Sequence, residues 1–559
     1  MQFLRKRLTA HGIVYGVFAL IAFSVLWKGG KSLEATWVFA GSVFACTIYL
    51  HLHLKRSEKH DAIHLALWAP AIFLIIWTFM SFAYSSTQNY GFDELLRTGA
   101  CALMFLWIVR FSVQAKKKQY EETLLQLIRT IAIVTLAACG IGFVVYALQP
   151  VNRFVGTFFD SRFHTDYWPN AWSNFVLLTW PFVYYWAFRG WKYKELDRQT
   201  CIDTAVRCIA VGIVLGSFFL SYSRGASIAL GGQLLLLGGI YGYIYRKKFP
   251  WKKILAVSGA ILFVGILYFR VGNTLRERVH DVLSVNEKIT FSADEGASSV
   301  SERKAFWGQA VTLANQKPFF GWGPYSFRFV QPRFQTTVLA TSDHPHNVFL
   351  KAAAERGWPA AVVLFALFAS VIILGLKGEI LKETARPHHA SFGVLLSVAL
   401  AGSIAHNLID YNMQFVGIAM LFWLLLGLLA GRIDFKKVKH VPTYIARRTE
   451  MTIAVLLLTF AILEGGFLVL SSLGRHAQAA GDSEVAIIWY NRTTGALFGR
   501  DLHLSRAEIY TDMEKYGSAN TAISDYFKIN GEDARAWKRR AALRQLQGES
   551  MGAIEDYEH

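Results

Sequence analysis

The chain has 559 residues, of which 53% are hydrophobic and 15% aromatic, and its formal net charge is +19 at pH 7. The mean hydropathy is +0.31, and the apolar residues form repeated continuous blocks, which excludes an ordinary water-soluble domain. The blocks approach the roughly 18 to 20 apolar residues that a helix needs to cross a bilayer. We therefore predict an all-α, polytopic helical membrane protein, because barrel strands would alternate apolar and polar residues.

About thirteen blocks meet this length criterion. In chain order they lie near residues 11–27, 34–51, 63–84, 94–110, 124–147, 170–188, 205–222, 226–245, 254–270, 357–376, 390–409, 412–431 and 452–472. The first block follows the basic start MQFLRKRLTAHG, but no small-residue cleavage site comes after it. This pattern indicates an uncleaved first helix rather than a signal peptide.

Positive charge predicts the orientation of the spans. Alternate connections, among them HLHLKRSEKH, RFSVQAKKKQY and YRKKFPWKK, are rich in Lys and Arg, whereas the connections between them carry few. Positive loops stay in the cytoplasm, so we expect a multi-pass protein of the cytoplasmic (inner) membrane with its N-terminus inside and its C-terminus outside. The basic loops would meet membrane lipid headgroups, so the net charge needs no nucleic-acid partner.

Two long segments lie outside the predicted spans. The first is an exterior loop from about Val271 to Pro345, which is far longer than an ordinary connection, and such loops are usually functional or disordered. The predicted domains are an N-terminal transmembrane bundle (1–270), a large exterior, periplasmic loop (271–345), C-terminal transmembrane helices (346–473) and a tail (474–559). All five cysteines lie in or beside predicted spans, so we expect neither a structural disulfide nor a zinc site.

The tail contains an internal repeat. The segments GDSEVAIIWY, GSANTAISDY and GESMGAIEDY share the order Gly, four residues, Ala, three residues, Tyr, and they begin 36 and 31 residues apart. This spacing brackets the roughly 34-residue period of tetratricopeptide repeats, in which paired helices stack. The Ala allows close helix approach, and the Tyr four residues later lies on the same helix face. We predict tetratricopeptide-like repeats whose last copy is incomplete.

Arg224, in SYSRGASIAL, occupies a very short turn between two apolar spans. A charged side chain at membrane depth is costly, so Arg224 is expected to pair with another group. A guanidinium beside Gly225, where backbone can approach closely, suits an anionic oxygen ligand. Position alone leaves open a second interpretation, in which Arg224 reaches lipid phosphates from the helix end.

Arg303 lies in the amphipathic stretch SERKAFWGQAVTLANQ, in which Phe306, Trp307 and Ala310 share an apolar side. Ser301 is the expected N-cap of this helix. Taken alone, the pattern around Arg303 is that of an ordinary solvated helix residue.

His346 lies at the close of the long loop, in TSDHPHNVFLKAAAERGWPA, and Asn347 marks a helix start. Histidine exchanges protons near neutral pH, which suits a general base for a hydroxyl group. Two alternatives remain open on the residues alone: a metal pair with His344, which lacks an obvious third ligand, and a histidine that only caps the helix.

Two other boundaries on the same predicted face carry ionisable groups. The stretch FVGTFFDSRFHTDYWPNAWSNF includes Arg162 among aromatic residues that usually form an interfacial belt. In SIAHNLIDYNM, His406 and Asp410 are four residues apart, which predicts that they share one helix face.

The order of these motifs resembles the O-antigen ligase and O-antigen polymerase (Wzy-type) superfamily. The matching segments are SYSRGASIAL, SERKAFWGQAVTLANQKPFFGWGPYSF and HPHNVFLKAAAERGWPA, and the resemblance covers about residues 60 to 435. It implies a glycosyltransferase whose donor is a glycan on undecaprenyl diphosphate. Carried onto this chain, the lipid diphosphate is held by Arg224 and Arg303, and His346 activates the acceptor hydroxyl. Asn347, Arg162 and Asp410 are supporting residues.

The residues agree with these implied roles, since two guanidiniums can stabilise a diphosphate leaving group without a metal. We expect no metal and no other cofactor. The acceptor could be a further glycan, a lipid A core or a protein, and the tail could bind a protein partner. A non-catalytic carrier or a scaffold is the alternative class, but a carrier predicts charges buried along a path in mid-span, whereas these charges gather at one surface.

Overall fold

The computed structural model describes most of the chain. The described residues are 15–31, 33–53, 63–149, 151–160, 167–189, 198–245, 251–279, 293–335, 342–385, 392–435, 439–497 and 499–559.

The body of the protein is helical. In chain order its helices are α1 (Tyr15–Leu26), α2 (Leu33–His53), α3 (Leu65–Ala83), α4 (Gln88–Gln114), α5 (Lys117–Leu148), α6 (Pro169–Phe188), α7 (Arg198–Phe219), α8 (Arg224–Tyr245), α9 (Trp251–Val279), α10 (Ala293–Gln316), α11 (Phe327–Val330), α12 (Val348–Ala385), α13 (Phe392–Asn407), α14 (Val416–Ala430) and α15 (Thr443–Ala479). Short 3-10 helices occupy Lys28–Gly30 and Gln331–Phe334.

Within the described ranges, nine helices are long and apolar enough to cross a membrane: α2 to α5, α7 to α9, α12 and α15. Three shorter apolar helices, α1, α13 and α14, accompany them. The protein is therefore an all-α, multi-pass membrane protein. Each of the thirteen predicted blocks overlaps one of these helices or α6, but the number of spans and their orientation stay predictions.

The centre of the bundle is formed by α4, α6, α13 and α14. Every residue of α14 is buried, as are almost all residues of α13. At the periphery, by contrast, α8 and α9 expose apolar side chains, and Leu235 and Phe263 are 79% and 67% exposed. Exposed apolar side chains of this kind are stable in a lipid environment, because the hydrocarbon tails of lipids are as apolar as the side chains themselves.

A two-residue antiparallel pairing joins distant parts of the chain. Strand β1 (Ile63–His64) pairs with β2 (His440–Val441), so that Ile63 lies opposite Val441. Because β1 directly precedes α3 and β2 directly precedes α15, the pairing fixes the starts of these two helices together.

The segment predicted as a long exterior loop is partly helical. Helix α9 extends to Val279, and α10 runs from Ala293 to Gln316. Ser301 therefore lies inside α10, and the prediction that it is the N-cap was wrong, because the helix begins before it. The predicted apolar side of α10 is confirmed for Phe306 and Ala310, which are buried against α11 and α12, whereas Trp307 is only partly buried.

Helix α12 contains a break at Gly357, whose φ is +80°. A Cβ atom at this position would lie 2.0 Å from the carbonyl oxygen of Phe319. Only glycine combines this left-handed backbone with such a close approach. The break separates a short helix that follows His346 from the long apolar helix that begins at Trp358.

The tail folds into five further helices: α16 (Ser483–Asn491), α17 (Leu502–Asp512), α18 (Tyr516–Ile529), α19 (Ala534–Leu546) and α20 (Ser550–Glu558). The three repeat copies lie in α16, α18 and α20, each of which packs on the helix before it. In the first two copies the Ala and the Tyr, Ala486 with Tyr490 and Ala522 with Tyr526, are buried together. Membership of the tetratricopeptide family stays a prediction.

Candidate functional site

The candidate site lies where α12 begins. Asn347 caps this helix, since its Oδ1 accepts hydrogen bonds from the backbone N–H groups of Phe349 (2.9 Å) and Leu350 (3.0 Å). Its Nδ2 donates to the carbonyl oxygen of Leu408 at 2.8 Å. Asn347 thus fills the capping role that the sequence left open for His346, and it joins the start of α12 to the turn between α13 and α14.

His346 pairs with Asp410 in that turn. Its Nδ1 lies 2.8 Å from Oδ1 of Asp410, and its Nε2 lies 3.3 Å from Oγ of Ser342. An imidazole that donates from Nδ1 to a carboxylate keeps its lone pair on Nε2, which is the arrangement of an oriented general base. The side chain of His346 is 26% exposed and that of Asp410 is 7% exposed, so the base faces outward from a buried partner.

Asp410 carries a negative charge at this position. Burial disfavours its ionised form, but the hydrogen bond from His346 and the electrostatic interaction with that imidazole outweigh burial and hold the pKa of Asp410 well below its usual range. A carboxylate that stays ionised can stabilise the imidazolium that forms when His346 accepts a proton.

His344 has a different environment from His346. It is buried, and burial together with the neighbouring His346 lowers the pKa of His344 to about 3. Its Nε2 lies 3.1 Å from Nε2 of Gln414, from which it accepts a hydrogen bond. His344 is therefore neutral near pH 7. No group of three or more His, Cys, Asp or Glu residues placed to hold a metal ion occurs in the part of the chain that the structure describes.

The prediction that His406 and Asp410 share a helix face was wrong. Helix α13 ends at Asn407, whose Oδ1 accepts a hydrogen bond from the backbone N–H of Asn412 at 2.8 Å. The chain then turns, which carries Asp410 to His346. His406 remains on the helix, where its Nδ1 lies 3.1 Å from Nδ2 of Asn174 in α6.

The two predicted diphosphate-binding arginines lie on helices next to the His346–Asp410 pair. Arg224 is the first residue of α8 and is exposed. A Cβ atom on the adjacent Gly225 would lie 2.4 Å from Cδ1 of Ile409 and 3.6 Å from Cδ2 of His406, so this glycine permits close packing. Arg303, in α10, is partly buried, and Phe306, three residues later on the same helix, has its ring centre 6.1 Å from that of His346. The helices that carry Arg224 and Arg303 thus pack beside the His346–Asp410 pair, α8 against Ile409 and α10 against His346. Arg162 lies outside the described residues.

A buried ion network directly behind the site was missed by sequence reasoning. Glu94 of α4 contacts three cations: Lys351 Nζ at 3.2 Å, Arg97 Nη2 at 3.1 Å and Arg356 Nη2 at 2.6 Å. Lys351 also pairs with Glu355 one helical turn later. The Lys351 to Glu355 spacing of four and the Glu94 to Arg97 spacing of three could each have indicated an ion pair, but nothing local indicated that the two pairs form one network.

The network supports the turn that carries Asp410. Arg97 donates a hydrogen bond to the backbone carbonyl of Gln414. The ammonium of Lys351 lies 5.1 Å from the ring centre of Tyr411, the residue after Asp410. Charged groups buried together in this way fix the residues around them, because any displacement leaves a charge unpaired.

The turn KPFFGWGPYSF has a structural role. The backbone N–H groups of Trp322 and Gly323 donate to the carbonyl oxygens of Ala354 and Glu355, at 3.1 and 2.8 Å, and that of Trp358 donates to Pro318 at 2.9 Å. Gly323 has a φ of +108°, and a Cβ there would overlap Ser85. This turn therefore anchors the break in α12 and, through it, the start of the helix that follows His346.

Comparison with known proteins shows similarity to an O-antigen ligase family over part of the chain. Residues 209–365 match a family model described as O-Antigen ligase, and this range contains Arg224, Arg303 and His346. The chain is similar to a general O-oligosaccharyltransferase of Acinetobacter baylyi, with 24% identity over 215 residues. That match covers 37% of this chain and 36% of the relative, so the aligned region spans about a third of the curated protein. No solved structure matches the chain significantly. These similarities support the O-antigen ligase superfamily and a ligase-type glycan transfer.

Proposed function

We propose that the protein is a glycosyltransferase that moves a glycan from undecaprenyl diphosphate to an acceptor hydroxyl at the outer face of the cytoplasmic membrane. The observation that carries this proposal is the His346–Asp410 pair. An oriented imidazole, backed by a buried carboxylate, lies beside the two helices that carry the arginines. This combination provides a base for the acceptor and positive charge for the leaving group.

In the proposed reaction, Nε2 of His346 accepts the proton of the acceptor hydroxyl while the oxygen of that hydroxyl forms a bond to the anomeric carbon of the glycan. The bond between that carbon and the diphosphate oxygen breaks, and undecaprenyl diphosphate leaves with the bonding electron pair. Arg224 and Arg303 stabilise the charge that develops on the diphosphate, since a guanidinium can donate two parallel hydrogen bonds to its oxygens. Direct displacement would invert the anomeric centre.

The proposed acceptor class is a protein hydroxyl. Two observations favour it over a lipid A core or a growing polysaccharide. The similar protein from Acinetobacter baylyi is named an O-oligosaccharyltransferase, and the helical tail, which we assign to tetratricopeptide-like repeats, offers a surface for a protein. The orientation that places the tail and His346 outside follows from the basic loops on the opposite side.

The proposal is tested by transfer of a radiolabelled glycan from undecaprenyl diphosphate with purified protein, with and without a chelator. We expect chelator-resistant transfer that is lost in His346→Ala and strongly reduced in Arg224→Ala. Arg448→Ala is the matched control, because Arg448 is an exposed arginine at the start of α15. Full activity in both site variants would overturn the proposal. Parallel assays with a protein, a lipid A core and a second glycan unit as acceptor identify the acceptor class.

A further inference from the structure

The tail is docked against the start of α4. The hydroxyl of Tyr90 donates to Oδ2 of Asp501 at 2.6 Å, and Nδ2 of Asn89 donates to the hydroxyl of Tyr526 at 3.0 Å. Arg500 forms an ion pair with Asp93, one turn further along α4. Asn89 and Tyr526 are buried, so these are interior contacts that fix the tail on the membrane body.

The same tyrosine contacts the segment that precedes the candidate base. The ring of Tyr90 stacks on the ring of Tyr325, with centres 5.5 Å apart and an angle of 25° between the planes. The hydroxyl of Tyr325 donates to Oδ2 of Asp343 at 3.1 Å. Asp343 is in turn paired with Arg328 at 3.2 Å. A continuous series of contacts therefore runs from Asp501 through Tyr90 and Tyr325 to Asp343.

Asp343 belongs to the short segment 342–346, which presents His346. In this segment Oγ of Ser342 donates to the carbonyl oxygen of His344 at 2.7 Å and lies 3.3 Å from Nε2 of His346. His346 has a φ of +52°, a left-handed conformation that is unfavourable for a residue with a side chain. Such a conformation persists only where the surroundings hold it, and Tyr325 supplies one of the contacts that hold this segment.

Tyr325 is well suited to this role. Burial and the neighbouring Asp343 raise the pKa of Tyr325 far above its ordinary value, so its hydroxyl remains a hydrogen-bond donor at every physiological pH. Tyr325 itself has a φ of +63°. A second link runs in parallel, since Arg333 Nη2 lies 2.7 Å from Glu532 Oε2 in the tail.

We propose that the C-terminal tail controls the geometry of His346, with Tyr90 and Tyr325 as positioning residues that connect the docked tail to segment 342–346. The tail is then a component of the transferase centre as well as a surface for partners. This inference rests on the proposed function, because it assigns the tail an effect on turnover at His346.

The test compares full-length Tyr325→Phe and Asp501→Asn with Tyr510→Phe. Tyr325→Phe removes the hydrogen bond to Asp343, and Asp501→Asn removes the negative charge that accepts the hydrogen bond of Tyr90 and also pairs with Arg535. The third removes the hydroxyl that pairs with Asn491, on an exposed part of the tail away from the series. We expect Tyr325→Phe to lower kcat about tenfold, the effect of one hydrogen bond to a charged group, with an unchanged KM for the donor. Asp501→Asn should lower kcat in the same direction, and Tyr510→Phe should leave it unchanged.

Amide hydrogen exchange of the peptide that contains residues 342–347 provides a readout independent of activity. Faster exchange is expected in Tyr325→Phe and Asp501→Asn, but not in Tyr510→Phe. Wild-type kcat and wild-type exchange in the first two variants would overturn the inference. His346→Ala is assayed alongside: if it stays active, the proposed function fails at this residue, and the exchange data alone then decide whether the tail orders the segment.

Discussion

Nδ1 of His346 lies 2.8 Å from Oδ1 of Asp410, although 64 residues separate them in the chain. Three features produce this contact: Asn347 caps α12 and binds the turn, Asn407 ends α13, and the buried network around Glu94 supports the residues after Asp410. The pair is thus the product of several independent interactions, and each of them can be tested.

Replacement of Asp410 by Asn should reduce turnover between about 10²-fold and 10⁴-fold. The amide keeps the shape of the side chain but removes the charge that orients and stabilises the imidazole. Binding of the donor should change little. The measurement is kcat and KM for radiolabelled glycan transfer, with Asp512→Asn, on an exposed tail residue, as the matched control. Turnover within twofold of wild type in Asp410→Asn would show that His346 does not act as an oriented base.

Replacement of Arg303 should show whether its charge or its shape matters. Arg303→Gln should reduce kcat/KM for the donor by about 10²-fold, and Arg303→Lys should recover only part of this loss, because a lysine keeps the charge without the bidentate fork. The control is Arg448→Gln. Equal activity of Arg303→Gln and wild type would contradict contact between Arg303 and the diphosphate.

Replacement of Gly357 by Ala should destabilise the protein by about 1 to 3 kcal/mol or more, because the alanine would adopt an unfavourable backbone conformation and clash with Phe319. The matched control lies on the same helix: Gly378→Ala meets no atom within 4 Å and should leave stability unchanged or raise it. Thermal unfolding in detergent compares the two. Similar unfolding midpoints would mean that the break in α12 is not required.

Replacement of Glu94 by Gln should also destabilise the fold, by about 3 to 5 kcal/mol, since Lys351, Arg97 and Arg356 would lose their shared carboxylate in a buried site. Turnover should fall too, because Arg97 holds the backbone beyond Asp410. The unfolding midpoint and kcat are measured on the same preparation, with Glu508→Gln on the tail as control. A Glu94→Gln variant as stable as wild type would show that the network is not stabilised by charge pairing.

The pH dependence of stability should contain a contribution from His503 in the tail. Burial, followed by the nearby charge of Arg506, lowers the pKa of His503 to about 4. Between its ordinary value of about 6.5 and this lower value, the unfolded chain binds a proton that the folded tail does not. Stability should therefore fall as the pH drops from about 6.5 to about 4, with no further loss from this residue below that. His503→Gln should make the unfolding midpoint depend less on pH over this interval. The same dependence on pH in the variant and in the wild type would contradict the assignment.

The helices of the membrane body could be predicted because length and hydropathy are local properties of the chain. Arg224, Arg303 and His346 could be named because their motifs occur in order, and the helices that carry the two arginines lie beside the His346–Asp410 pair. The partner of His346 was harder to predict. Asp410 was placed beside His406, since spacing cannot show that Asn407 ends the helix. Glu94 gave little signal, because only Arg97 lies near it in the chain, and the fold alone brings Lys351 and Arg356 to it from α12.

The contacts between Asn89 and Tyr526 close a separation of 437 residues. During synthesis, Asn89 is translated 437 residues before Tyr526, so this hydrogen bond forms only after the tail has been made and folded. Contacts of such long range form late, because the intervening chain must first be ordered. If segment 342–346 depends on those contacts and His346 is the proposed base, a nascent chain carries every residue of the proposed site before that site can work. Activity would then begin only after translation has delivered Asp501 and the helices behind it, which would make the newly inserted protein inert towards lipid-linked glycan until its fold is complete.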